Sequence, residues 1–526
     1  MKNQIIQWAI TMTLIACCTF TKAQELEHVA HLDDRVLFNT FYTSYGDMLY
    51  LHIINDAAHG TFLVTDGTNA GTQIVKDIAP NASWNIGFCR PVVYQDMIYF
   101  TANGGGTGLE LWASDGTSSG TELLHEIRGG SAAAFDNFNS SLAVFNGNLY
   151  FRAVGNDGDE ELWVSDGTPG GTQLFKNLYT NGSGSPKFLT VVDDKMFFHA
   201  KNSFGRELWV TDGTSDGTYM VKNIHVGGNS LADTNFERIA YNDKLYFQAY
   251  NEAFGTELWA SDGTESGTYL LKNINPTANS SPQNFIVYNE LIFFGANDGV
   301  HGNELWVSDG TTSGTRMVKD IGADTDIQYF KTYNGKLYFG ANGNLWCTDG
   351  TEEGTQFIKD AGIEPYTEMI TYAGKLLFIG RGDVHQKIWL SDGTPDGTVP
   401  ASPDLQLSNF FPLYNISPAK YDGAVYLVTS SENDGADLWR YQVMFTNTEA
   451  AVNDTNAFTV FPNPAYHSIR IDNTSPVTIQ ISNALGQVHV QQEIQANTPI
   501  EIQHLPTGRY FITDKSNRQS AVFIKQ

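Results

Sequence analysis

One short pattern recurs eight times along the chain and constrains its fold more than any other feature. The pattern is Asp-Gly-Thr, two variable residues and then Gly-Thr, and neighbouring copies begin 40 to 51 residues apart. The copies start at Asp66, Asp115, Asp166, Asp212, Asp262, Asp309, Asp349 and Asp392. Self-similarity at a period of roughly 20–50 residues indicates a repeat architecture, in which each unit packs against its neighbours.

One repeat shows which structure the unit adopts. Short runs rich in aromatic and branched residues occur at 244–248, 257–261 and 268–274, with a weaker run at 236–240. Each run has the length and composition of a strand, and no apolar period of 3.6 residues persists that would indicate a helix. Four strands with their turns fill about 45 residues, which is the size of one propeller blade.

The recurrent Asp-Gly-Thr is typical of a tight turn. Asp accepts hydrogen bonds from backbone N–H groups two residues further on, and Gly adopts a positive φ without steric cost. We therefore predict that the eight aspartates are structural turn residues. Eight of the ten Trp share one repeat position and are predicted to pack between blades: Trp112, Trp163, Trp209, Trp259, Trp306, Trp346, Trp389 and Trp439.

The number of blades follows from the second strand of each unit. This strand recurs nine times, around Leu49, Ile98, Leu149, Met196, Leu245, Ile292, Leu337, Leu376 and Val425. The ninth unit lacks a final strand, and 26–32 resembles the missing one. We predict an all-β fold: a β-propeller of eight to nine four-stranded blades, with nine favoured, closed by the N-terminal strand, plus a small C-terminal β-sandwich.

The repeat resembles a family pattern. Residues 110–117 read Glu-Leu-Trp-Ala-Ser-Asp-Gly-Thr, and four further copies begin at Glu161, Glu207, Glu257 and Glu304. This resembles the ELWxxDGTxxGT repeat of large secreted bacterial proteins, sometimes labelled hyalin-like. The resemblance implies a secreted or surface protein and transfers no catalytic residue. We expect the recurrent Glu to solvate the start of its strand; the alternative is a ring of carboxylates.

The first 23 residues are predicted to be a signal peptide. Lys2 precedes an apolar stretch, and cleavage is expected between Ala23 and Gln24. The alternative is a lipoprotein signal with lipid on Cys17. The propeller then spans 24–446, followed by a small, polar, acidic linker at 447–457.

The C-terminal residues 458–526 resemble a second known family. Their motif residues are Pro462, Asn463, Pro464, Gly486, Leu505, Pro506, Gly508 and Lys525. The order and spacing are similar to the type A C-terminal sorting domain of the Bacteroidetes type IX secretion system. The resemblance implies a partner in the type IX machinery, passage through the periplasm, and release or attachment to outer-membrane surface lipopolysaccharide.

The net charge and the absence of several enzyme motifs argue against some classes of ligand and of enzyme. A formal charge of −27 disfavours binding to nucleic acid and to anionic membranes. We separately expect the protein to be a monomer. The zinc-protease, nucleophile-elbow and phosphate-loop motifs are absent from the sequence. We expect no cofactor; the open alternative is calcium, held in the loops that contain Asn156, Asp157 and Asp159 or Asn297 and Asp298.

The variable loops at 81–90, which includes Trp84, and 129–141 are the predicted places for a binding site. The favoured function is non-enzymatic binding of an extracellular polysaccharide or protein, in an adhesion-type role. A structural matrix protein and a secreted polysaccharide hydrolase or lyase are the alternatives. Exposed aromatic residues on one rim would favour binding, uniform rims a structural role, and a perturbed acid pair in one cavity an enzyme.

Overall fold

The structure, a computed structural model, is built from β-strands throughout the residues that it describes. These are 22–33, 37–46, 48–55, 60–76, 78, 90–135, 142–233, 235–322, 325–363, 368–381, 386–401, 419–421, 424–431, 435–445, 460–461, 468–471, 477–483, 488–495, 499–505, 508–514 and 520–525. The chain divides into two compact units, Lys22–Met444 and a second that contains Phe445–Gln526. In the described part, no helix is long and apolar enough to cross a bilayer.

The larger unit is a propeller of nine four-stranded antiparallel sheets, which confirms the favoured blade count. Blades 1 to 4 comprise β2 (Leu37–Tyr45), β3 (Met48–Asn55), β4 (Gly60–Thr65) and β5 (Gln73–Lys76); β6 (Val92–Tyr94), β7 (Met97–Asn103), β8 (Leu109–Ser114) and β9 (Thr121–His125); β10 (Ala143–Phe145), β11 (Asn148–Val154), β12 (Glu160–Ser165) and β13 (Gln173–Lys176); and β14 (Lys187–Val192), β15 (Lys195–Asn202), β16 (Gly205–Thr211) and β17 (Tyr219–Lys222).

Blades 5 to 9 continue the same order. They comprise β18 (Arg238–Tyr241), β19 (Lys244–Asn251), β20 (Gly255–Ser261) and β21 (Tyr269–Lys272); β22 (Gln283–Tyr288), β23 (Leu291–Asn297), β24 (Asn303–Ser308) and β25 (Arg316–Lys319); β26 (Ile327–Tyr333), β27 (Lys336–Ala341), β28 (Asn344–Thr348) and β29 (Gln356–Asp360); β30 (Ile370–Tyr372), β31 (Lys375–Arg381), β32 (Gln386–Ser391) and β33 (Val399–Pro400); and β34 (Ala419–Tyr421), β35 (Ala424–Ser431) and β36 (Gly435–Phe445), with β1 (Lys22–Asp33) as the fourth strand.

The two ends of the propeller segment meet in blade 9, as the sequence predicts. The sheet order of that blade is β1-β36-β35-β34, so the N-terminal strand pairs with the last strand of the ring. His28 Nε2 and His31 Nδ1 both lie close to Asp437 Oδ1, at 2.9 and 3.0 Å. This pairing removes the unpaired edge that an open array would expose.

The apolar core is divided among the blade interfaces. The described residues form one buried cluster between each pair of neighbouring blades, including the pair formed by blades 9 and 1. In β19, Leu245, Tyr246 and Phe247 are all buried, because both faces of an inner sheet are covered. First strands of adjacent blades contact one another, for example β14 with β18 and β18 with β22. These strands therefore surround the central axis.

Strand direction separates two faces of the propeller. The turn face carries the tight turns between first and second strands and the Asp-Gly-Thr turns between third and fourth strands. The loop face carries the loops between second and third strands and the connections from one blade to the next. Every blade repeats this arrangement, so the variable residues of different blades collect on the loop face.

The smaller unit contains two sheets with a shared apolar cluster. One has the order β37-β38-β41 and the other β40-β39-β42-β43. The strands are β37 (Val460–Phe461), β38 (Ser468–Ile471), β39 (Val477–Asn483), β40 (Val488–Ile494), β41 (Ile500–Glu501), β42 (Gly508–Asp514) and β43 (Ser520–Lys525). Ile469 of the first sheet and Ile481 of the second are both fully buried in this cluster.

Candidate functional site

The Asp-Gly-Thr aspartates are occupied by their own turns. Asp115 Oδ1 accepts hydrogen bonds from the backbone N and the Oγ1 of Thr117, at 2.8 and 2.7 Å. These donors, the hydroxyl first, hold the pKa of Asp115 below its usual range. The same two bonds occur at Asp66, Asp166, Asp212, Asp262, Asp309, Asp349 and Asp392.

The recurrent Glu before Leu-Trp is buried, so the prediction that it solvates a strand is wrong. Glu110 is fully buried, and its carboxylate accepts the backbone N–H groups of Ile127 and Arg128, at 2.8 and 3.2 Å. Buried carboxylates of the same kind are found at Glu161, Glu207, Glu257 and Glu304. Each carboxylate accepts hydrogen bonds from donors that lie 17 or more residues further along the chain. These bonds fix the connection to the next blade.

Burial dominates the acidity of these glutamates. Desolvation raises the pKa of Glu110, Glu161 and Glu207 to about 7, although the bound N–H groups act in the opposite direction. It also raises the pKa of Glu257 and Glu304. These glutamates with raised pKa occur one per blade and are hydrogen-bonded to backbone N–H groups. We therefore assign them a structural role.

The two loops proposed for calcium use their oxygens internally. Asn156 Oδ1 accepts Gly129 N at 2.9 Å, and Asp157 Oδ1 accepts Asp159 N at 3.1 Å. Asn297 Oδ1 accepts Gly299 N at 2.7 Å, and Asp298 Oδ2 lies 2.7 Å from His301 Nδ1. Within the described ranges, no group of three or more His, Cys, Asp or Glu could hold a metal ion. Calcium binding by these loops stays a prediction.

Other predicted residues have simpler positions. Ala23 and Gln24 lie in β1, Gly508 begins β42 and Lys525 ends β43, while Leu505 is buried. Pro462, Asn463, Pro464, Gly486, Pro506 and Trp84 lie outside the described residues. Of the predicted binding loop at 129–141 the structure describes 129–135, where Phe135 is 3% exposed and packs 5.7 Å from Phe151; a binding site in this loop stays a prediction.

Exposed apolar side chains stand on the loop face of three neighbouring blades. Phe204, Phe254 and Val300 occupy the loop between second and third strands of blades 4, 5 and 6, and are 52%, 41% and 79% exposed. Val226, 79% exposed, lies in the connection from blade 4 to blade 5. We call these four residues the apolar rim. Sequence analysis missed it, because a single Phe or Val in a loop is no signal until its blade position is known.

An asparagine fixes each loop of the apolar rim. Asn202 Oδ1 accepts Phe204 N at 2.9 Å, and Asn251 Oδ1 accepts Ala253 N at 2.9 Å. Asn297 makes the equivalent bond two residues along the chain. Such local bonds hold a turn without help from other segments. The rim side chains therefore project from ordered loops.

A polar cluster, with Asp233 half exposed and its cationic partners largely buried, joins blades 4 and 5 near the rim. Asp233 Oδ1 lies 2.8 Å from both Lys187 Nζ and Arg206 Nη1. His199 is fully buried between the rings of Phe188 and Phe236, at 4.8 and 5.8 Å. Desolvation, followed by the neighbouring cations, lowers the pKa of His199 to about 2, so the ring is neutral.

A cavity of about 300 Å³ opens on the loop face at blade 7. Its described lining is Asp326, Gln328, Tyr329, Gly340, Asn342, Gly343 and Ile363. Asp326 is the one carboxylate among the described residues of this lining, so these residues do not by themselves supply an acid pair. Asp193, whose pKa is raised chiefly by its hydrogen bond with Asp243, lies with that residue in exposed turns of the opposite face.

Comparison with known families identifies the C-terminal segment. Residues 459–525 match the family model of the secretion system C-terminal sorting domain. This is the sorting domain of the type IX secretion system, and it indicates delivery to the cell surface or the extracellular space. No curated protein matches the chain in sequence.

Solved structures resemble the propeller only distantly. PorZ, a surface component of the type IX secretion system of Porphyromonas gingivalis, is 14% identical, with 92% of this chain and 75% of that chain covered and a TM-score of 0.33. BamB from Moraxella catarrhalis is 12% identical (79% and 100%, TM-score 0.36), and oligopeptidase B from Leishmania major is 10% identical (67% and 54%, TM-score 0.38). Likeness at this level carries no functional argument.

Proposed function

We propose that this protein is a non-enzymatic binding propeller that attaches to an extracellular polysaccharide through the apolar rim. The sorting domain supplies the export route, through the periplasm and the type IX machinery, with release or attachment to surface lipopolysaccharide afterwards. The observation that carries the proposal is the exposure of Phe204, Phe254 and Val300 in the same kind of loop, between the second and third strands, of three successive blades. Exposed apolar side chains that line up on an ordered frame are typical of an interaction site.

A polysaccharide suits this surface better than other polymers. Equivalent contacts on successive blades fit a chain of repeating units, and aromatic rings pack well against the C–H faces of sugars. The asparagine turns order the loops before binding, which lowers the entropic cost of association. A net charge of −27 repels anionic polymers, so the expected ligand is neutral or cationic.

The two alternative functions lack comparable support. A coating protein with no ligand would be expected to carry uniform rims, whereas among the loops of this kind that the structure describes, those of blades 2 to 7, the exposed Phe and Val residues lie in blades 4 to 6. A hydrolase or lyase would be expected to bring two carboxylates together in a cavity, whereas the described cavity lining has one. Attachment to a protein partner is the remaining possibility, and the experiment below distinguishes it.

The test is a glycan array probed with the full chain from Gln24, with calcium and with chelator. We expect binding to a neutral or cationic polysaccharide, weakened at least about tenfold, or roughly 1.4 kcal/mol, by the combined substitutions Phe204→Ala, Phe254→Ala and Val300→Ser. The matched control is Ile74→Ala with Phe357→Ala, which removes apolar residues that are 55% and 50% exposed on outermost strands.

The outcomes separate the alternatives. A blank array in both conditions, or binding that the rim variant leaves unchanged, would contradict the proposal and move the weight to a protein partner. Loss of binding under chelator would show that calcium takes part and would direct attention to Asp157 and Asp298.

A further inference from the structure

Blades 4 and 7 share a local geometry that makes them directly comparable. In blade 4, Lys187 lies opposite His199 and the register shifts after it; in blade 7, Gln328 lies opposite Gly340 and the register shifts in the same way. The next residue, Phe188 or Tyr329, has a φ of 58° in both blades. The same strand distortion therefore stands beside two different second-strand residues.

The second-strand position varies more than its surroundings. It follows a pair of residues that are both aromatic in blades 2 to 7. From blade 1 to blade 9 it is occupied by His52, Thr101, Arg152, His199, Gln248, Gly295, Gly340, Ile379 and Val428. In blade 4 the side chain points towards blade 5, since His199 packs against Phe236. In blade 7 a glycine leaves this space without a side chain.

A second position likewise has a large side chain in blade 4 and a glycine in blade 7. The carbonyl oxygen of Arg206 accepts Ser230 N at 3.0 Å, and the carbonyl oxygen of Gly343 accepts Ile363 N at 2.6 Å, so the two residues are equivalent. In blade 4 the imidazole and the guanidinium are both buried. In blade 7 both side chains are replaced by hydrogen, and the cavity of about 300 Å³ lies there.

The cavity wall combines polar groups with one aromatic ring. Gln328 Nε2 donates to the Asp326 carboxylate, and Asn342 Oδ1 accepts Asp326 N at 3.1 Å. Tyr329 and Asn342 have φ values of 58° and 52°. Residues other than glycine seldom occupy this left-handed region, so the backbone on two sides of the cavity has a fixed, uncommon conformation.

We propose that this cavity binds a single ring of a neutral, hydroxyl-rich sugar; the inference rests on the proposed function, in which the ligand is a polysaccharide. A volume of about 300 Å³ is at the lower end of small-molecule sites and suits one ring. The carboxylate and amide groups match sugar hydroxyls, and the Tyr329 ring offers an apolar wall. The seven described lining residues include one carboxylate and no cation, so a uronate or sulfated sugar is disfavoured.

The test fills the cavity with a side chain that the fold already accepts elsewhere. Gly340→Gln introduces the residue that blade 5 carries as Gln248, and its Cβ would lie 3.3 Å from Tyr329 Cδ2, a contact relieved by a small ring shift. The control is Gly106→Gln, at an exposed loop-face glycine of blade 2 where an added Cβ would meet no atom within 4 Å. Asn342→Gly keeps the left-handed backbone and removes the amide, so it replaces Gly340→Gln if that variant does not fold.

The measurement is titration calorimetry of the full chain from Gln24 with glucose, galactose, mannose, N-acetylglucosamine and glucuronate. We expect millimolar binding of a neutral sugar, weakened at least about tenfold by Gly340→Gln or Asn342→Gly and unchanged by Gly106→Gln. The apolar-rim variant should leave this binding intact while it weakens the polysaccharide.

Three results would overturn the inference. Polysaccharide binding that depends on the apolar rim but not on Gly340 would contradict the cavity site alone. Tighter binding of glucuronate than of any neutral sugar would contradict the ligand class. If neither polysaccharide nor monosaccharide binds, the proposed function fails, and the inference fails with it.

Discussion

Two carboxylates of the same repeat show how local environment decides the role of a side chain. Asp115 is exposed, and donors from Thr117 keep its pKa below the usual range. Glu110, five residues earlier, is buried, and desolvation raises its pKa to about 7. Desolvation disfavours the charged form, whereas hydrogen bonds to that form favour it. One repeat therefore contains groups that respond to pH in opposite directions.

We predict a stability maximum near pH 4–5. Glutamates whose pKa is raised in the folded state bind protons more tightly than the unfolded chain does, so stability falls as pH rises from 4.5, the ordinary pKa of a glutamate, to about 7. The turn aspartates have a lowered pKa, and their contribution is lost as pH falls below 3.8. Thermal denaturation between pH 3 and 8 measures both branches.

The matched variant carries Glu110→Gln, Glu161→Gln and Glu207→Gln. Each shift corresponds to at most about 3 kcal/mol, at roughly 1.4 kcal/mol per pKa unit. The variant should flatten the branch between pH 5 and 7 and leave the acid branch unchanged. An unfolding temperature of the parent protein that rises from pH 5 to 7 would contradict this account.

At the scale of the element, the Asp-Gly-Thr turn belongs to the interface as much as to its own blade. Gly116 has a φ of 89°, and a Cβ at this position would lie 2.1 Å from the hydroxyl of Tyr50. Tyr50 is in the preceding blade, and tyrosines of other blades approach Gly167, Gly310 and Gly393 in the same way. Glycine is therefore required at this turn for two reasons: the backbone has a positive φ, and the tyrosine of the neighbouring blade leaves no room for a Cβ.

We predict that Gly116→Ala destabilises the propeller by about 2–5 kcal/mol, since positive φ costs about 1–2 kcal/mol and overpacking adds about 1–3. Gly147→Ala is the matched control, because its φ is 69° and no atom lies within 4 Å of the added Cβ. Gly147→Ala should lower the free energy of unfolding only by the cost of placing an alanine at a positive φ. Urea denaturation of both variants gives the difference, and equal losses would refute the packing explanation.

At the scale of the whole propeller, closure of the ring depends on a strand from the other end of the segment. β1 supplies the outermost strand of blade 9, and Val29 and Ala30 are buried against blade 1 and blade 9 residues. Asp437 contacts two histidines of β1, and Arg440 Nη1 lies 3.4 Å from Glu27. The closing strand is thus held in place by apolar packing and by charged contacts.

Deletion of 24–33 should therefore expose the edge of β36 and lower the unfolding temperature. Asp437→Asn should have a smaller effect, because the strand pairing remains. The control is Asp298→Asn, which disrupts a different contact between Asp and His on the loop face. Hydrogen exchange of β36 is the measurement; protection that survives the deletion would show that closure does not need β1.

The sequence was sufficient for the blade count and the closure of the ring. Each blade is built from local chemistry, with a turn made by Asp, Gly and Thr and short strands of matching length, and local chemistry is visible as a period. The resemblance between 26–32 and the outermost strands located the closing strand. The same reasoning failed for Glu110, because the N–H groups that hold it lie 17 and 18 residues along the chain.

What the sequence by itself determined is the nine-bladed all-β ring, its N-terminal closing strand and its exported C-terminal segment. Only the tertiary structure decided which side chains are buried, which reach solvent and where space remains. Gly340 and Gly343 are ordinary glycines in the sequence, and they become a cavity wall only when blades 7 and 8 pack together. Phe204 and Phe254 become neighbours on one rim through blade order. Periodicity records the chemistry within a blade, whereas burial depends on surfaces that meet between blades.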